Sequence, residues 1–270
     1  MVEHSGTPVL NVSDVVDVGY REVAPPAALA PFVECLWAAG RREMRTENDR
    51  RILPDGRMDL VWIRGAGVLV AGPQTRFTVR SLPAPLVAVG VRFHPGVAPG
   101  LLRLPAADFI DGQVPLDAVD PGLAARLDAA LDAARTLGGA FDAMNRELLR
   151  HVDRLAELDG AVAEATSMLD SSSASVADVS AGVYVSERQL RRRFAERVGY
   201  GPKTLQRVLR FQRLVSILGE PGTELARAAV TAGYADQAHL TRECRELSGL
   251  TPAELAGWLG GDENRAEPRS

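Results

Sequence analysis

The segment VSERQLRRRFAERVG, residues 185–199, carries five arginines in fifteen residues. A guanidinium group can donate two parallel hydrogen bonds to guanine O6 and N7, and a glutamine amide can pair in the same way with adenine. Arginine also binds phosphate through the same forked donors. These residue types on one exposed helix face would suit a DNA-binding surface, whereas arginines spread around a helix would only keep it soluble.

The charge of the chain is unevenly distributed. Residues 184–213 contain nine Lys and Arg and two Glu, a net charge of +7, while the remainder contains 22 basic and 33 acidic residues, a net charge of −11. Such segregation indicates a basic working surface on an acidic protein, for which DNA is the usual partner. Charge alone leaves open a chance cluster on a solvated helix.

An internal repeat relates residues 186–205 to residues 236–255, fifty residues further on. The segments SERQLRRRFAERVGYGPKTL and DQAHLTRECRELSGLTPAEL share Leu190 with Leu240, Arg192 with Arg242, Glu196 with Glu246, Gly199 with Gly249, Pro202 with Pro252 and Leu205 with Leu255. Upstream, VADVSAGVYV and LARAAVTAGY align if the second copy has one extra residue before its later helix. Each copy predicts a short helix, a tight turn and a second helix, which is a helix-turn-helix unit.

The second helix of each unit is predicted at residues 186–198 and 236–248. Ser186 followed by Gln189 is a capping box, so the first of these helices is expected to begin at Ser186. A period of 3.6 residues predicts the buried stripes Leu190, Phe194 and Val198, and Leu240, Cys244 and Leu247. The outward-facing residues at the start of these helices are the predicted DNA contacts: Ser186, Arg188, Gln189 and Arg192 in the first helix and His239 and Arg242 in the second.

The segment PKTLQRVLRFQRLVSIL predicts one helix from Pro202 to about Leu218 that joins the two units. Its roughly 15–17 residues would span about 23–26 Å at 1.5 Å per residue. With the ends of the two motifs added, the second helices could reach successive major-groove segments roughly 34 Å apart. Lys203 and Arg207 on this helix are predicted phosphate contacts.

Residues from about 20 to 115 have the pattern of strands and turns. A Pro-Asp-Gly turn at Pro54–Gly56 precedes an alternating run in which Met58, Leu60 and Trp62 share one face. After the glycine-containing break at 65–67, the apolar segment Val68–Ala71 predicts the return strand of a hairpin. The segment PLVAVGVRFHPG predicts a further strand.

Two helices are predicted after this β-rich part. Asp120 is the expected N-cap of the first, with Pro121 at its first position, and Gly138-Gly139 is expected to end it. Apolar stripes recur at Leu123, Leu127 and Leu131, and at Phe141, Met144, Leu148, Val152 and Leu155. Such stripes form either an intramolecular core or the seam of a dimer.

Other residues could support enzymatic, metal or effector chemistry. His94 could bind a metal, but no HxH or HxxxE spacing surrounds it, so a structural role is favoured and no metal or cofactor is expected. Asp55 and Asp59 could form an acid/base pair, although Asp in such a turn normally shapes the backbone. Trp62 and Arg92 could line an effector pocket; core packing for Trp62 and a salt bridge for Arg92 are the alternatives. Cys35 and Cys244 form no CxxC pair, which favours a reducing cytosol.

The C-terminal residues resemble the DNA-binding domain of the AraC/XylS family of bacterial transcription regulators. The resemblance covers residues 161–258 and rests on VADVSAGVYVSERQLRRRFAERVGYGPKTLQRVLRFQRL and LARAAVTAGYADQAHLTRECRELSGLTPAEL. It implies DNA contacts at the start of each reading helix, which fall on Arg188, Arg191 and Arg192 in the first copy and on Gln237, His239 and Arg242 in the second. Two positions depart from the family pattern. Tyr184 stands where glycine is common in the first turn, and Cys244 stands where the family usually buries Phe, which predicts a less fully packed second unit.

The N-terminal half resembles the uncharacterised sensor domain of a subgroup of these regulators, through RILPDGRMDLVW, AGPQTR and GVRFHPGVAPGLLRLPAADFIDGQVPL. The resemblance implies a β-rich effector or oligomerisation domain, for which a cupin-like fold is one form. The expected organisation is therefore α+β, with a β-rich domain at 1–120, a helical linker at 121–160, a double helix-turn-helix domain at 161–260 and a flexible tail at 261–270.

The predicted function is sequence-specific regulation of transcription by a cytoplasmic, non-enzymatic protein that binds double-stranded DNA. A small-molecule effector, a homodimer and, for an activator, RNA polymerase are further expected partners, and no membrane is expected. Two other classes stay open. One is a DNA-repair enzyme with an appended DNA-binding domain, in which Cys35 would be the nucleophile. The other is an interaction protein whose basic helix binds an acidic partner.

Overall fold

The computed structural model describes residues 20–41, 49–81, 86–171, 174–220 and 222–260. The predicted tail at 261–270 lies outside these residues. Eight strands come first: β1 Tyr20–Val23, β2 Val33–Arg41, β3 Asp49–Ile52, β4 Met58–Ile63, β5 Gly67–Ala71, β6 Thr78–Ser81, β7 Leu86–Phe93 and β8 Gln113–Pro115. Six strands form an antiparallel sheet in the order β1-β2-β7-β4-β5-β8, and β3 pairs with β6 as a separate ribbon.

The helices are α1 Ala98–Leu102, α2 Pro121–Asp132, α3 Leu137–Leu149, α4 Val152–Leu155, α5 Gly160–Ser171, α6 Val176–Gly182, α7 Glu187–Arg197, α8 Pro202–Leu218, α9 Leu225–Ala232, α10 Gln237–Ser248 and α11 Pro252–Gly260. Short 3₁₀ turns lie at Ala106–Phe109 and Leu116–Ala118. The chain thus has a β-rich part over residues 20–115 followed by helices, as the sequence predicts. Within the described residues, the six-stranded sheet and the β3–β6 ribbon make up the β-rich part.

The hairpin predicted from the alternating run is present. β4 pairs antiparallel with β5, and β4 alternates buried and half-buried residues so that Met58, Leu60 and Trp62 face the core. Trp62 is fully buried, and its indole Nε1 donates to Asp128 of α2 at 2.9 Å. The alternative of core packing therefore describes Trp62, and its position gives an effector pocket no support.

Helices α2 and α3 cover one face of the sheet. Their apolar stripes, including Leu127 and Met144, belong to one core with the inward residues of the sheet, so the stripes are intramolecular. Asp120 caps α2 as predicted, because its Oδ1 accepts from the Leu123 N–H at 2.9 Å. The prediction that Gly138-Gly139 ends this helix is wrong. Both glycines lie in the first turn of α3, where the Thr136 side chain caps the helix by accepting from the Gly139 N–H.

Charged side chains cluster on the opposite face of the sheet. The Arg92 guanidinium lies 3.3–3.4 Å from carboxylate oxygens of Glu22, Asp55 and Asp59. The Trp37 indole also donates to Asp59 at 2.9 Å. Burial, together with the nearby charge of Asp55, raises the pKa of Asp59 to about 6 against the opposing effect of Arg92. Arg92 thus has the salt-bridging role that the sequence left as its alternative.

The C-terminal helices form two small cores that share helix α8. Its first half contributes Leu205 and Leu209 to the core of the first unit, and its second half contributes Phe211, Leu214 and Leu218 to the core of the second. The helix has the bounds that the sequence predicts, since Pro202 is its first residue and Leu218 its last. One continuous helix therefore joins the two units.

Candidate nucleic-acid interface

The first reading helix, α7, begins at the predicted capping box. The Ser186 Oγ accepts from the Gln189 N–H at 3.3 Å, and the Gln189 Oε1 accepts from the Ser186 N–H at 2.9 Å. Leu190 and Phe194 are fully buried, so they fix which face of α7 points away from the core. In this conformation the Gln189 side-chain oxygen is used by the cap, and its amide NH₂ takes no part in the cap.

Four of the five arginines of residues 185–199 fall into three environments. Arg188 and Arg192 are exposed and form no ion pair within the described part of the chain. Arg191 is exposed and pairs with Glu187 at 3.0 Å, whereas Arg193 turns inward and pairs with Asp159 at 3.0 Å. An exposed ion pair between neighbouring turns of a helix contributes only about 0.3–0.5 kcal/mol to stability. Arg191 can therefore leave Glu187 for a phosphate at little cost.

The second reading helix, α10, begins at Asp236, whose Oδ1 accepts from the His239 N–H at 2.7 Å. Leu240, Cys244 and Leu247 are buried as predicted. The outer face of α10 borders an open groove lined by Asp236, Gln237, Ala238, Thr241, Arg242, Arg245 and Glu246. Gln237 and Arg242 are exposed there, and Arg242 forms no ion pair among the residues described.

A buried carboxylate connects α10 to the linker helix. The Glu243 carboxylate is 5% exposed and lies 2.6 Å from Arg210, 3.4 Å from Arg207 and 3.4 Å from His239 Nε2. Burial acts to raise the pKa of Glu243, but the hydrogen bonds and charge of Arg210 outweigh it and hold that pKa below its ordinary value. No sequence signal indicates this cluster, because Arg207 and Arg210 lie 36 and 33 residues before Glu243 and only His239 is near it in the sequence, one turn earlier on α10.

The two predicted phosphate contacts are both engaged within the protein. Lys203 Nζ donates to Gln206 Oε1 at 3.0 Å. Arg207 donates to the exposed Glu246 at 2.7 Å in addition to its contact with Glu243. Phosphate contacts by Lys203 and Arg207 therefore stay predictions, and each would require the side chain to leave an internal partner.

The turn of the first unit holds Tyr184 in the left-handed region, at φ +56°, with 95% of its surface exposed. Gly233 takes this role in the second unit at φ +89°. The Tyr184 N–H donates to Ala181 O, and the Gly233 N–H donates to Val230 O, so the turn positions are equivalent. The N-cap follows two residues after Tyr184 and three after Gly233, which confirms the extra residue in the second copy.

Replacing Tyr184 by glycine is expected to raise the free energy of unfolding by about 0.5–1 kcal/mol. The left-handed conformation costs an L-residue about 1–2 kcal/mol, and the greater entropy of glycine in the unfolded chain offsets about 0.5–1 kcal/mol of that gain. Urea titration of the wild-type and Tyr184→Gly proteins measures the difference. A fall in stability would show that the phenol packs against the unit despite its exposure.

The described residues contain neither a candidate metal site nor a candidate membrane-spanning helix. Within the described ranges, no group of three or more His, Cys, Asp or Glu side chains is arranged to hold a metal ion. His94 instead lies 3.2 Å from the carbonyl oxygen of Ala30 through its Nε2. Among these residues, no helix is both long enough and apolar enough to span a bilayer.

Two family models match separate parts of the chain. Residues 179–257 match a family model described as a helix-turn-helix domain, and residues 21–115 match one described as a domain of unknown function (DUF6597). No curated protein matches the chain.

Solved structures of AraC-type regulators are similar to this chain. A transcriptional regulator with an AraC-type DNA-binding domain from Chromobacterium violaceum is 24% identical, with 38% of this chain and 94% of that chain covered and a TM-score of 0.36. A probable AraC family regulator from Rhodopseudomonas palustris is 22% identical, with 37% and 98% covered and a TM-score of 0.34. ToxT from Vibrio cholerae is 13% identical, with 79% and 97% covered and a TM-score of 0.45.

The repeat, the capped reading helices and the match over residues 179–257 agree with one another. Residues 179–257 of this chain therefore form a helix-turn-helix domain, and DNA binding is the activity that this domain supports.

Proposed function

We propose that the protein regulates transcription by inserting α7 and α10 into two successive major-groove segments of one DNA site. The observation that carries the proposal is the equivalence of Arg192 and Arg242. Each arginine lies six residues after the N-cap of its helix, and each is exposed without an ion pair among the described residues. An unpaired guanidinium on the outward face of a helix is the group that reads guanine in the major groove.

The linker helix gives the two units a separation that suits B-DNA. Helix α8 has 17 residues, which corresponds to about 26 Å at 1.5 Å per residue. Insertion of both reading helices into one site requires them to match the roughly 34 Å between successive major-groove segments on one side of the duplex. A protein that binds both segments on one side of the duplex would recognise one continuous DNA site rather than two independent sites.

Regulation rather than enzymatic repair is favoured by the state of Cys35. Its thiol is buried, and burial raises the pKa of Cys35 to about 12 despite the opposing charge of Arg92. A nucleophilic cysteine requires a thiolate in an exposed, electropositive environment. The environment of Cys35 therefore opposes the enzyme hypothesis, and we propose that the N-terminal domain instead controls DNA binding, through an effector or through dimerisation.

We expect Cys35 in the folded protein to react with a maleimide at least about 100-fold more slowly than in the urea-unfolded protein, because the thiol is buried and un-ionised at neutral pH. Labelling of a Cys244→Ser variant followed by mass spectrometry measures Cys35 alone. Rapid labelling of the folded variant, or methyl transfer to Cys35 from alkylated DNA, would instead favour the repair enzyme.

The proposal is tested by selecting binding sites for the full chain from a random-sequence duplex library. We expect an enriched site with two short conserved segments about one helical turn apart. Fluorescence anisotropy on the enriched and random duplexes at two salt concentrations then separates specific from electrostatic binding. A library with no enriched sequence, and equal affinity for all duplexes, would leave only a basic surface and would contradict the proposal.

A further inference from the structure

The N-terminal domain contacts both units at equivalent positions of the repeat. Gly199 follows α7 and Gly249 follows α10, and both adopt positive φ, +98° and +73°. A Cβ on Gly199 would lie 2.8 Å from Cγ of Pro73 and 3.2 Å from the carbonyl oxygen of Ala106. A Cβ on Gly249 would lie 2.5 Å from Cζ of Phe77. At both ends, glycine permits close packing of the N-terminal domain against the end of a reading helix.

The contact at the second unit comes from the β3–β6 ribbon and the residues beside it. Arg51 Nη1 donates to the carbonyl oxygen of Ser248, one of the last carbonyls of α10, and a cation is favourable at this end of a helix. The Arg51 guanidinium also lies 4.6 Å from the ring centroid of Phe77. Leu53, just after β3, packs against the core of the second unit. We call Arg51, Leu53 and Phe77 the ribbon contact.

A third contact lies between these two. The turn that contains Pro54 and Gly56 reaches the linker helix, where Gln212 Nε2 donates to the carbonyl oxygen of Pro54 at 2.6 Å. A Cβ on Gly56 would lie 2.8 Å from Cδ1 of Leu205. The N-terminal domain therefore packs along the C-terminal domain from the end of α7, across α8, to the end of α10.

These contacts leave the DNA-reading residues uncovered. The contacted glycines follow the C-terminal ends of α7 and α10, whereas the predicted DNA contacts occupy the N-terminal halves of the same helices. Helices of 11 and 12 residues place their two ends about 16–18 Å apart. The N-terminal domain can thus contact the C-terminal ends of both helices while their N-terminal halves bind DNA.

We infer that Arg51 and Phe77 are positioning residues that fix the orientation of α10 relative to α7, and with it the spacing between the two DNA segments that the protein accepts. The inference rests on the proposed function for its consequence at DNA. The linker helix attaches the second unit to the first. The ribbon contact attaches the second unit to the N-terminal domain as well, and this additional attachment restricts rotation of one unit against the other.

The geometric part is tested without DNA. Spin labels are attached at Ala163→Cys in α5 and Arg227→Cys in α9 of the full chain, both exposed positions in different units. The two native cysteines are buried. Pulsed electron resonance then gives the distribution of distances between the units. We expect a narrow distribution that becomes wider in Phe77→Ala and stays narrow in Val79→Ala, an exposed residue of the same ribbon. Equal widths in Phe77→Ala and the parent would overturn the inference.

The consequence at DNA is tested by inserting or deleting one base pair between the two segments of the selected site. Each base pair moves the second segment by about 3.4 Å and rotates it by about 34°. We expect the wild type to lose at least about tenfold in affinity and Phe77→Ala to lose less than about threefold, because its second unit can follow the displaced segment. The same penalty in both proteins would overturn the inference.

Gly249→Ala provides a second variant that does not remove a side chain. The added methyl group forces Phe77 or α10 to move, so we expect a change in the spacing between the two DNA segments that the protein prefers. Gly222→Ala is the matched control, because Gly222 has a similar φ of +77° and nothing within 4 Å of a Cβ. Identical spacing profiles for the two alanine variants would contradict the role of the ribbon contact. A wild type that selects no site would disprove the proposed function, and the spin-label distances would still decide whether the ribbon positions α10.

Discussion

Arg192→Ala and Arg242→Ala are each expected to weaken binding at the selected site by about 1–3 kcal/mol, roughly 5- to 150-fold, and to relax the base preference at one position. Both guanidinium groups are exposed and unpaired among the residues described, so no internal partner has to be displaced when they bind a base. Because the two residues are equivalent in the repeat, the lost preferences are expected in different segments of the site.

Affinity on the selected site, on single-base variants of it and on random duplex measures this effect. Arg135→Ala is the matched control, because Arg135 is exposed in the loop between α2 and α3 and its loss removes the same charge. We expect the control to leave base preference unchanged. If Arg192→Ala and Arg242→Ala lower the affinity for selected and random duplexes equally, the arginines bind phosphate and base reading is wrong.

The double variant adds a test of how the units cooperate. Sites that are far apart and share no partners usually have additive effects. We therefore expect the double variant to lose the sum of the two single losses, until the residual affinity equals that for random duplex. A double variant no weaker than Arg192→Ala alone would show that only the first unit reads sequence.

The helix-turn-helix units could be predicted from sequence because their signals are local. The capping box at Ser186 and Gln189 and the proline at the start of α8 each act within a few residues, and the structure confirms them. The repeat shows the same local pattern twice. A local signal also gave one wrong prediction, that Gly138-Gly139 ends α2. There the Thr136 cap and packing of α3 onto the sheet outweigh the low helix propensity of glycine.

The partners of individual arginines could not be predicted, because they depend on contacts between distant segments. Sequence patterns did not show that Arg193 pairs with Asp159, 34 residues earlier. The same limit applies to Arg51, which meets Ser248 across 197 residues. The structure thus distinguishes exposed arginines that form no ion pair among the described residues from arginines that bind partners within the protein. Composition and periodicity do not provide this distinction.

Glu243→Ala is expected to lower the free energy of unfolding of the second unit by about 2–3 kcal/mol, because it leaves the Arg210 guanidinium largely buried without its partner. The Arg210 side chain is 15% exposed and lies 5.3 Å from the ring centroid of Tyr234, so it cannot turn freely into water. Hydrogen exchange resolves the effect by region. We expect faster exchange in α9 and α10 and unchanged exchange in α7.

The pH dependence follows from the lowered pKa of Glu243. A depressed folded-state pKa means that the pair stabilises the fold at neutral pH and that this contribution is lost as pH falls through the folded-state value, below the ordinary range of glutamate. The difference in stability between the wild type and Glu243→Gln is therefore expected to shrink in acid. A difference that stays constant down to that range would show that Glu243 contributes packing rather than charge.

Two further variants separate the buried pair from surface charge. Glu246→Ala removes an exposed carboxylate one turn further along α10, and we expect it to lower the free energy of unfolding by less than about 0.5 kcal/mol.

Replacing both members of the buried pair, Arg210→Met with Glu243→Leu, is expected to recover most of the stability that Glu243→Ala loses, because no uncompensated charge is left inside. The double variant also tests function, since Glu243 lies beside His239 on the reading helix. If stability returns and base preference in the second segment does not, then Glu243 orients the DNA-reading face as well as holding α10 to the linker helix.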